Sequence, residues 1–402
     1  MIRRKEYEKF FKEAQSIEGE IIRWRRYLHE NPEIGCNLPK TVTFVTSTLE
    51  KMGYSPKLTS NNGIVAVLDS KNGGKTLLLR ADMDALPIME ETDLPFKSKN
   101  KDASHSCGHD NHTAMLLGAA KILMDNKHLL KGRVKFVFEP DEETTRGAKS
   151  MIDDGILENP QVDAAMAFHS MVGKFLNTGQ VAYSRGPAMA SADIFEITVE
   201  GKATHGASPE FGVDPINIMS HIQIALNTIL SREKPQKEPV VLTIGMFNAG
   251  NVPNAIPNKA SMSGTLRTFD QFVREKLKNR IIEISTGIAK SFGGNAKVEF
   301  KMGTPAVIND LDVGDEIVSY VKEVIGNENV IDFPSAMGSE DFSEILLRVP
   351  GVFLWIGMGS VSQGYNFGMH NPKAIFNEEG LVYGSALFAH CAVKWLENNF
   401  SR

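Results

Sequence analysis

Three apolar runs, VKFVF (134–138), AAMAF (164–168) and GVFLWIGMG (351–359), are nearly continuous, with little polar–apolar alternation. A strand with one wet face alternates. A strand that is apolar on both faces belongs inside a sheet covered on both sides, as parallel sheets are. GIVAVL (63–68) and TLLL (76–79) read as further strands. TAMLLGAAKILM (113–124) reads as a helix that Asp110 or Asn111 is placed to cap, and a last helix at about 379–397 would cover the sheet. The first thirty residues have helical spacing from Phe10 to Leu28 and should form one helix, ending where Pro32 and Gly35 break the pattern. Strands alternating with helices predict an α/β domain built on a mainly parallel sheet.

From about residue 188 the pattern changes. ADIFEITVEG alternates cleanly, DPINIMSHIQIALNTIL is helical, PVVLTIGMFN and ASMSGTLRTF are strands, a long helix follows from Asp270, and AKVEFKMG is a strand. That order is β-α-β-β-α-β, the ferredoxin-like arrangement. It predicts an α+β domain over 188–304 inserted into an α/β domain formed by 1–187 and 305–402, which suits a chain of 402 residues.

Each apolar strand runs into a polar cluster. TLLL leads to Arg80, Asp82 and Asp84; VKFVF leads to EPDEE (139–143); AAMAF leads to His169; GVFLWIGMG leads, across a short loop, to GMHNP with His370. Open α/β sheets bind ligands beyond the carboxyl ends of their strands, so these clusters should converge. HSCGHDNHTA (105–114) adds a Cys107-x-His109 step, whose side chains share one side if the backbone is extended. Thiolate, imidazole and carboxylate together suit zinc or another late first-row ion. Cys107, His109, Glu143, His169 and His370 are therefore the expected ligands. Glu142 and Glu143 are adjacent; on an extended segment their side chains point opposite ways, so one can ligate a metal while the other takes a proton from a metal-activated water and passes it to a leaving amine. Read alone, EPDEE is equally a solvated acidic loop. Asp84 suits the carboxylate that orients a ligand histidine, with an ion pair to Arg80 or a loop cap as the alternatives.

The ordered blocks RRYLHENPEIG, LRADMDALPIMEETDLPF, CGHDNHTAMLLGAAKIL, EPDEETTRGAKSMIDDG, HGASPEFGVDPI, NAIPNKASMSGTLRTF, GSEDFS and MHNPKAIFNEEGL resemble the M20 family of metallo-amidohydrolases and carboxypeptidases nearly end to end. They are most similar to its branch of N-acyl-amino-acid amidohydrolases, hippurate hydrolases and auxin-conjugate hydrolases. The resemblance implies a zinc-peptidase-like catalytic domain with an inserted lid domain that also dimerises. It implies two divalent metal ions, zinc first, with manganese, cobalt or nickel compatible. It assigns the five ligands, Glu142 as base and Asp84 as orienting residue. It also implies that His205 reaches an active site, often across a dimer, that Asn254 contacts substrate or oxyanion, and that Arg267 grips a substrate carboxylate. The implied reaction is hydrolysis of an N-acyl-L-amino acid, with carboxypeptidase or dipeptidase action as the alternative. This chain departs from the branch at Glu139 and Asp141, where glutamine and alanine are common, and so adds negative charge near the metals.

A net charge of −5 without a basic run argues against nucleic acid, and no apolar run approaches a membrane span. The N-terminal MIRRKEYEKFFKEAQ lacks the apolar core of a secretory signal, and three cysteines are too few for a disulfide framework. The expected setting is the cytoplasm, with a small-molecule N-acyl amino acid as substrate and a homodimer or higher homo-oligomer through the lid domain.

Overall fold

Sheet strands Thr76–Asp82, Ala164–Met171 and Gly351–Gly357 are buried at every residue in the computed structural model, which describes residues 2–400. Burial on both faces is what their continuous apolar sequences require. They lie side by side and parallel, with Arg133–Glu139 parallel to Thr76–Asp82 on the other side. The edges are antiparallel additions: Ile64–Asp69 beside Arg133–Glu139, and Val181–Tyr183 beside Gly351–Gly357. The mainly parallel mixed sheet of eight strands is the α/β class expected.

Helices His109–Asp125 and Gly380–Asn398 pack against the sheet, contributing Leu116, Leu117, Leu387 and Phe388 to its core. Full burial of each such side chain contributes on the order of 2 kcal/mol. Helices Pro39–Lys51 and Leu311–Ile325 complete the layers.

The N-terminal helix is two helices, Ile2–Ser16 and Glu18–Glu30, not one. Ile17 leaves helical geometry (φ −110°, ψ 10°), and the second helix buries Arg25 and His29 beside Ile21 and Leu28.

The chain divides into two compact units: Met1–Ala188 with Ile308–Pro334 and Asp341–Arg402, and Met189–Val307 with Ser335–Glu340. The short piece 335–340 goes with the second unit because Ala190 N–H donates to Ala336 O (3.0 Å) and Arg267 Nη1 to Met337 O (3.0 Å). In the second unit, Ala192–Glu200 is flanked by Lys259–Thr268 and Asn295–Thr304, and Val240–Ala249 forms the edge beyond Lys259–Thr268. All pairings are antiparallel, as a ferredoxin-like sheet demands. Helices Pro215–Thr228 and Gln271–Ser291 bury Met219, Ile222, Leu277 and Ile281 against its inward face. Inside this unit Arg274 grips Asp193 with two hydrogen bonds, Nε–Oδ2 at 2.7 Å and Nη2–Oδ1 at 2.8 Å.

Candidate metal centre

Neighbouring strands of the first unit deliver most of the polar groups. Thr76–Asp82 continues to Asp84, Arg133–Glu139 continues to Glu142 and Glu143, and Ala164–Met171 carries His169. The helix His109–Asp125 brings Cys107 and His109 at its start. His370 arrives on a loop, with a left-handed backbone (φ 63°), and its N–H donates to Ser106 O at 2.9 Å. A β-carbon-bearing residue in that conformation is held there by its surroundings, a common feature of functional sites.

The five expected ligands meet. Cys107 Sγ is 3.5 Å from His169 Nε2 and 3.2 Å from His370 Nε2. Glu143 Oε1 is 3.7 Å from His370 Nε2 and 3.8 Å from His109 Nε2. With metal–ligand bonds of about 2.0–2.3 Å, donors on one tetrahedral ion lie roughly 3.3–3.8 Å apart.

The tautomers point the same way. His169 Nδ1 is 2.9 Å from the carbonyl of Ser170, which can only accept, so the proton sits on Nδ1 and Nε2 presents a lone pair. His109 Nδ1 is 3.3 Å from Asp84 Oδ1, again an acceptor, and His109 Nε2 is buried without a hydrogen-bond partner. Glu143 Oε1 is likewise buried and unbonded. Burial lifts the Glu143 carboxyl to about 7 and raises the Cys107 thiol, with Glu143 adding to the latter. Burial also pulls His169 well down. Two of these crowded ligand atoms, His109 Nε2 and Glu143 Oε1, are left buried without a partner, which fits a divalent cation that would favour the thiolate and the carboxylate.

Three local expectations are corrected. Cys107–His109 is not extended: Gly108 is left-handed (φ 94°, ψ 19°), and a β-carbon there would lie 2.4 Å from Ser170 Oγ. Glycine is what lets Cys107 and His109 turn to one point. Nor do Asp110 and Asn111 cap the helix, which starts at His109 with no side-chain cap; Asp110 bonds instead to Arg25 and His29. Glu142 and Glu143 also depart from an extended segment. They lie in a 3₁₀ turn after Asp141 (φ 61°), and their amides donate to Asp84 Oδ1 (3.1 Å) and Oδ2 (3.2 Å). Asp84 thus orients His109 and fixes the turn that carries Glu142.

A second layer of groups escaped the sequence. His112 approaches Asp82 Oδ1 with Nδ1 (2.5 Å), while its Nε2 accepts the Ser170 N–H (2.7 Å). A backbone N–H must donate, so His112 carries its proton on Nδ1 and its remaining lone pair is already engaged. Although Asp82, His109 and His112 cluster within 4.8 Å, His112 therefore buttresses Asp82 and does not offer a ligand atom. Arg80 binds Asp82 (2.7 Å), Glu139 (2.9 Å) and Asp341 (3.3 Å), all fully buried. The unusual Glu139 is thus paired to Arg80, and the unusual Asp141 accepts from Thr144 Oγ1 (2.8 Å). Nothing local in the sequence marks Ser170 or His112, since their partners are 58 residues apart. His105 is buried with neither ring nitrogen bonded, and burial holds it neutral, its pKa near 3.

His205 and Asn254 lie in the second unit and come together there: His205 pairs with Ala255, and Gly206 N–H donates to Asn254 O at 2.8 Å. Both are exposed. Arg267 is half-buried on the strand Lys259–Thr268 of the other sheet in that unit.

Residues 78–394 match the family model described as Peptidase family M20/M25/M40. The chain is 35% identical over 393 residues to thermostable carboxypeptidase 2 of Saccharolobus solfataricus, covering 96% of this chain and 98% of that protein. It is also 35% identical over 387 residues to N-acetyl-L-cysteine deacetylase of Bacillus subtilis, covering 96% and 90%. Among solved structures it resembles the Bacillus subtilis YxeP protein, described as a dinuclear metal binding peptidase from the M20 family. The TM-score is 0.81 at 31% identity, covering 95% of this chain and 99% of that one. The chain belongs to the M20 peptidase family, and it is a metal-dependent hydrolase of amide bonds. Among the described residues no helix is long and apolar enough to cross a membrane.

Proposed function

We infer that this chain hydrolyses the amide bond of N-acyl-L-amino acids, of the N-acetyl or N-benzoyl type, at a centre of two divalent ions. The observation that carries the reading is the shared clamp of Asp84, which holds His109 and the turn of Glu142 and Glu143 at once. It puts a base directly beside the ligands. Cys107, His109, Glu143, His169 and His370 hold the ions, with zinc favoured by the mixed thiolate and imidazole donors and manganese, cobalt or nickel compatible. Bound there, the ions would polarise the amide carbonyl and acidify water. Glu142 takes the proton from the attacking water and delivers it to the departing nitrogen. His205 and Asn254 donate to the oxygen where charge develops, and Arg267 grips the substrate carboxylate.

The Bacillus relative, named as a deacetylase of an N-acetyl amino acid, supports this substrate class. The carboxypeptidase relative of equal identity supports the second reading, cleavage of a peptide with a free carboxylate. Initial rates on N-acetyl-amino acids, N-benzoyl-amino acids and dipeptides, each with added Zn²⁺, Mn²⁺, Co²⁺ or Ni²⁺, separate the two. Faster turnover of the N-acyl substrates is expected; faster turnover of dipeptides would replace the first reading with the second. The same reading makes the chain a dimer through the second unit, whose edge strand Val240–Ala249 exposes Met246 and Phe247. A monomeric mass by light scattering at micromolar concentration would reject that.

A further inference from the structure

The block RRYLHENPEIG has no role in the chemistry above, yet its Arg25 and His29 are among the most buried charged residues, 1% and 2% exposed. Arg25 Nε is 2.7 Å from Asp110 Oδ2, and His29 Nδ1 is 2.8 Å from the same oxygen. His29 Nε2 is 3.2 Å from Glu90 Oε1, and Glu90 also accepts from Thr92 Oγ1 and from Ser98 N–H (2.7 Å). Arg25 Nη1 reaches Glu378 Oε1 at 3.4 Å, and Arg26 grips both oxygens of Glu378 at 2.9 and 2.6 Å. The two guanidinium groups lie over the ring of Phe96, at 4.9 and 4.6 Å from its centroid.

This network touches both loops that deliver ligands. Asp110 follows His109 directly. Glu378 lies two residues past Phe376, whose ring fills the space beside Gly108. Glu90 is followed by Glu91, whose N–H donates to Pro372 O (2.8 Å), two residues past His370. A network of buried charges is a poor way to gain stability alone, because well-packed apolar side chains do as well or better. What it does supply is fixed geometry, through the directional bonds of His29 to Asp110 and Glu90 and of Arg25 and Arg26 to Glu378, with the Arg25 charge close against Asp110.

We propose that Arg25 and His29 are positioning residues for the metal centre: through Asp110 on one side and Glu90 and Glu378 on the other, they set the spacing between the Cys107–His109 turn and the His370 loop. This rests on the ligand set given under Proposed function. Residues that orient metal ligands characteristically change metal affinity by 10–100-fold.

The test is Zn²⁺ affinity of the full chain, by competition with a chromogenic chelator, with folding checked by circular dichroism. His29→Gln places its amide nitrogen near Nε2 and abandons Asp110; it should bind Zn²⁺ about 10–100-fold more weakly. His29→Asn places its amide nitrogen near Nδ1 and keeps the bond to Asp110 while giving up Glu90; because Asp110 adjoins His109 directly, whereas Glu90 reaches the His370 loop only through Glu91 and Glu378 still holds that side, it should recover most of that loss. Glu378→Gln keeps the shape and one acceptor oxygen of a side chain that is 18% exposed, and should weaken Zn²⁺ about tenfold. Wild-type affinity in both His29→Gln and Glu378→Gln, or equal losses in the Gln and Asn variants at residue 29, would overturn the proposal. If His29→Gln does not fold, Glu378→Gln decides alone. Cys107→Ala is the control: it should lose Zn²⁺, and undiminished binding there would overturn the ligand set itself and the proposal with it.

Discussion

Asp84 Oδ1 lies 3.3 Å from Nδ1 of His109, and the same oxygen accepts the backbone N–H of Glu142 at 3.1 Å. One carboxylate therefore fixes the tautomer of a ligand and the position of the base. Asp84→Asn leaves a single acceptor oxygen for three donors and turns an amide NH₂ towards another N–H. Chelator competition should show metal affinity about 10–100-fold lower. Wild-type affinity would remove Asp84 from this role.

Glu142→Gln tests the base with less disturbance, because the Glu142 backbone, not its side chain, is what Asp84 holds. Metal content by elemental analysis should be unchanged while kcat falls about 10²–10⁴-fold, the usual contribution of a positioned general base. Loss of metal together with activity would instead make Glu142 a ligand.

Gly108→Ala should be far more damaging than a glycine-to-alanine change at an ordinary helix start. The left-handed backbone costs an L-residue about 1–2 kcal/mol, and the new methyl would sit 2.4 Å from Ser170 Oγ and 2.8 Å from the Phe376 ring. Overpacking of that kind adds about 1–3 kcal/mol. Urea unfolding of the metal-free chain should register the sum, and a loss below about 1 kcal/mol would contradict the geometry.

The same glycine marks what the sequence leaves unwritten. That Cys107 and His109 face one point was legible from their spacing, and the gathering of His169, Glu143 and His370 from their places after apolar strands. The means was not: a left-handed turn leaves no mark in the composition of C-G-H, so an extended backbone was the natural expectation. Asp110 suits a cap because its neighbours in sequence begin a helix. Its real partners, Arg25 and His29, are more than eighty residues away, and local spacing carries no trace of them. The break at Ile17 was hidden for a related reason, since the apolar spacing continues through it while the backbone does not.

In the second unit the pair Asp193–Arg274 is buried and doubly hydrogen-bonded. Asp193→Ala leaves the guanidinium without its partner in a site closed to water. Breaking one side of such a pair costs about 3–5 kcal/mol. Denaturant unfolding followed by circular dichroism should show that loss, while zinc content, set by residues of the first unit, stays at the wild-type value. A loss under about 1 kcal/mol would mean that water reaches Arg274.

Lys135 interrupts the apolar strand Arg133–Glu139 and is 1% exposed, its ammonium donating to the carbonyls of Ile156 (2.7 Å), Glu158 (2.8 Å) and Pro160 (2.8 Å). Burial nevertheless lowers its pKa from 10.5 to about 8, with Glu158 only partly opposing the fall. Between pH 8 and 10.5 the unfolded chain then holds a proton on this lysine that the folded chain has released. Stability must rise with pH through that window, by at most about 1.4 kcal/mol per pH unit. Below pH 8 both states are protonated and above 10.5 neither is, so the slope from this group vanishes outside the window. Lys135→Met removes the group while keeping an unbranched chain in the same space. Unfolding free energies of both proteins at a series of pH values from 7 to 11 isolate the term, because every other titrating group cancels in the difference. The wild type should gain on the variant as pH climbs from 8 to 10.5. A flat difference would show that the three carbonyls hold the ammonium as well as water does, and that burial does not depress this lysine at all.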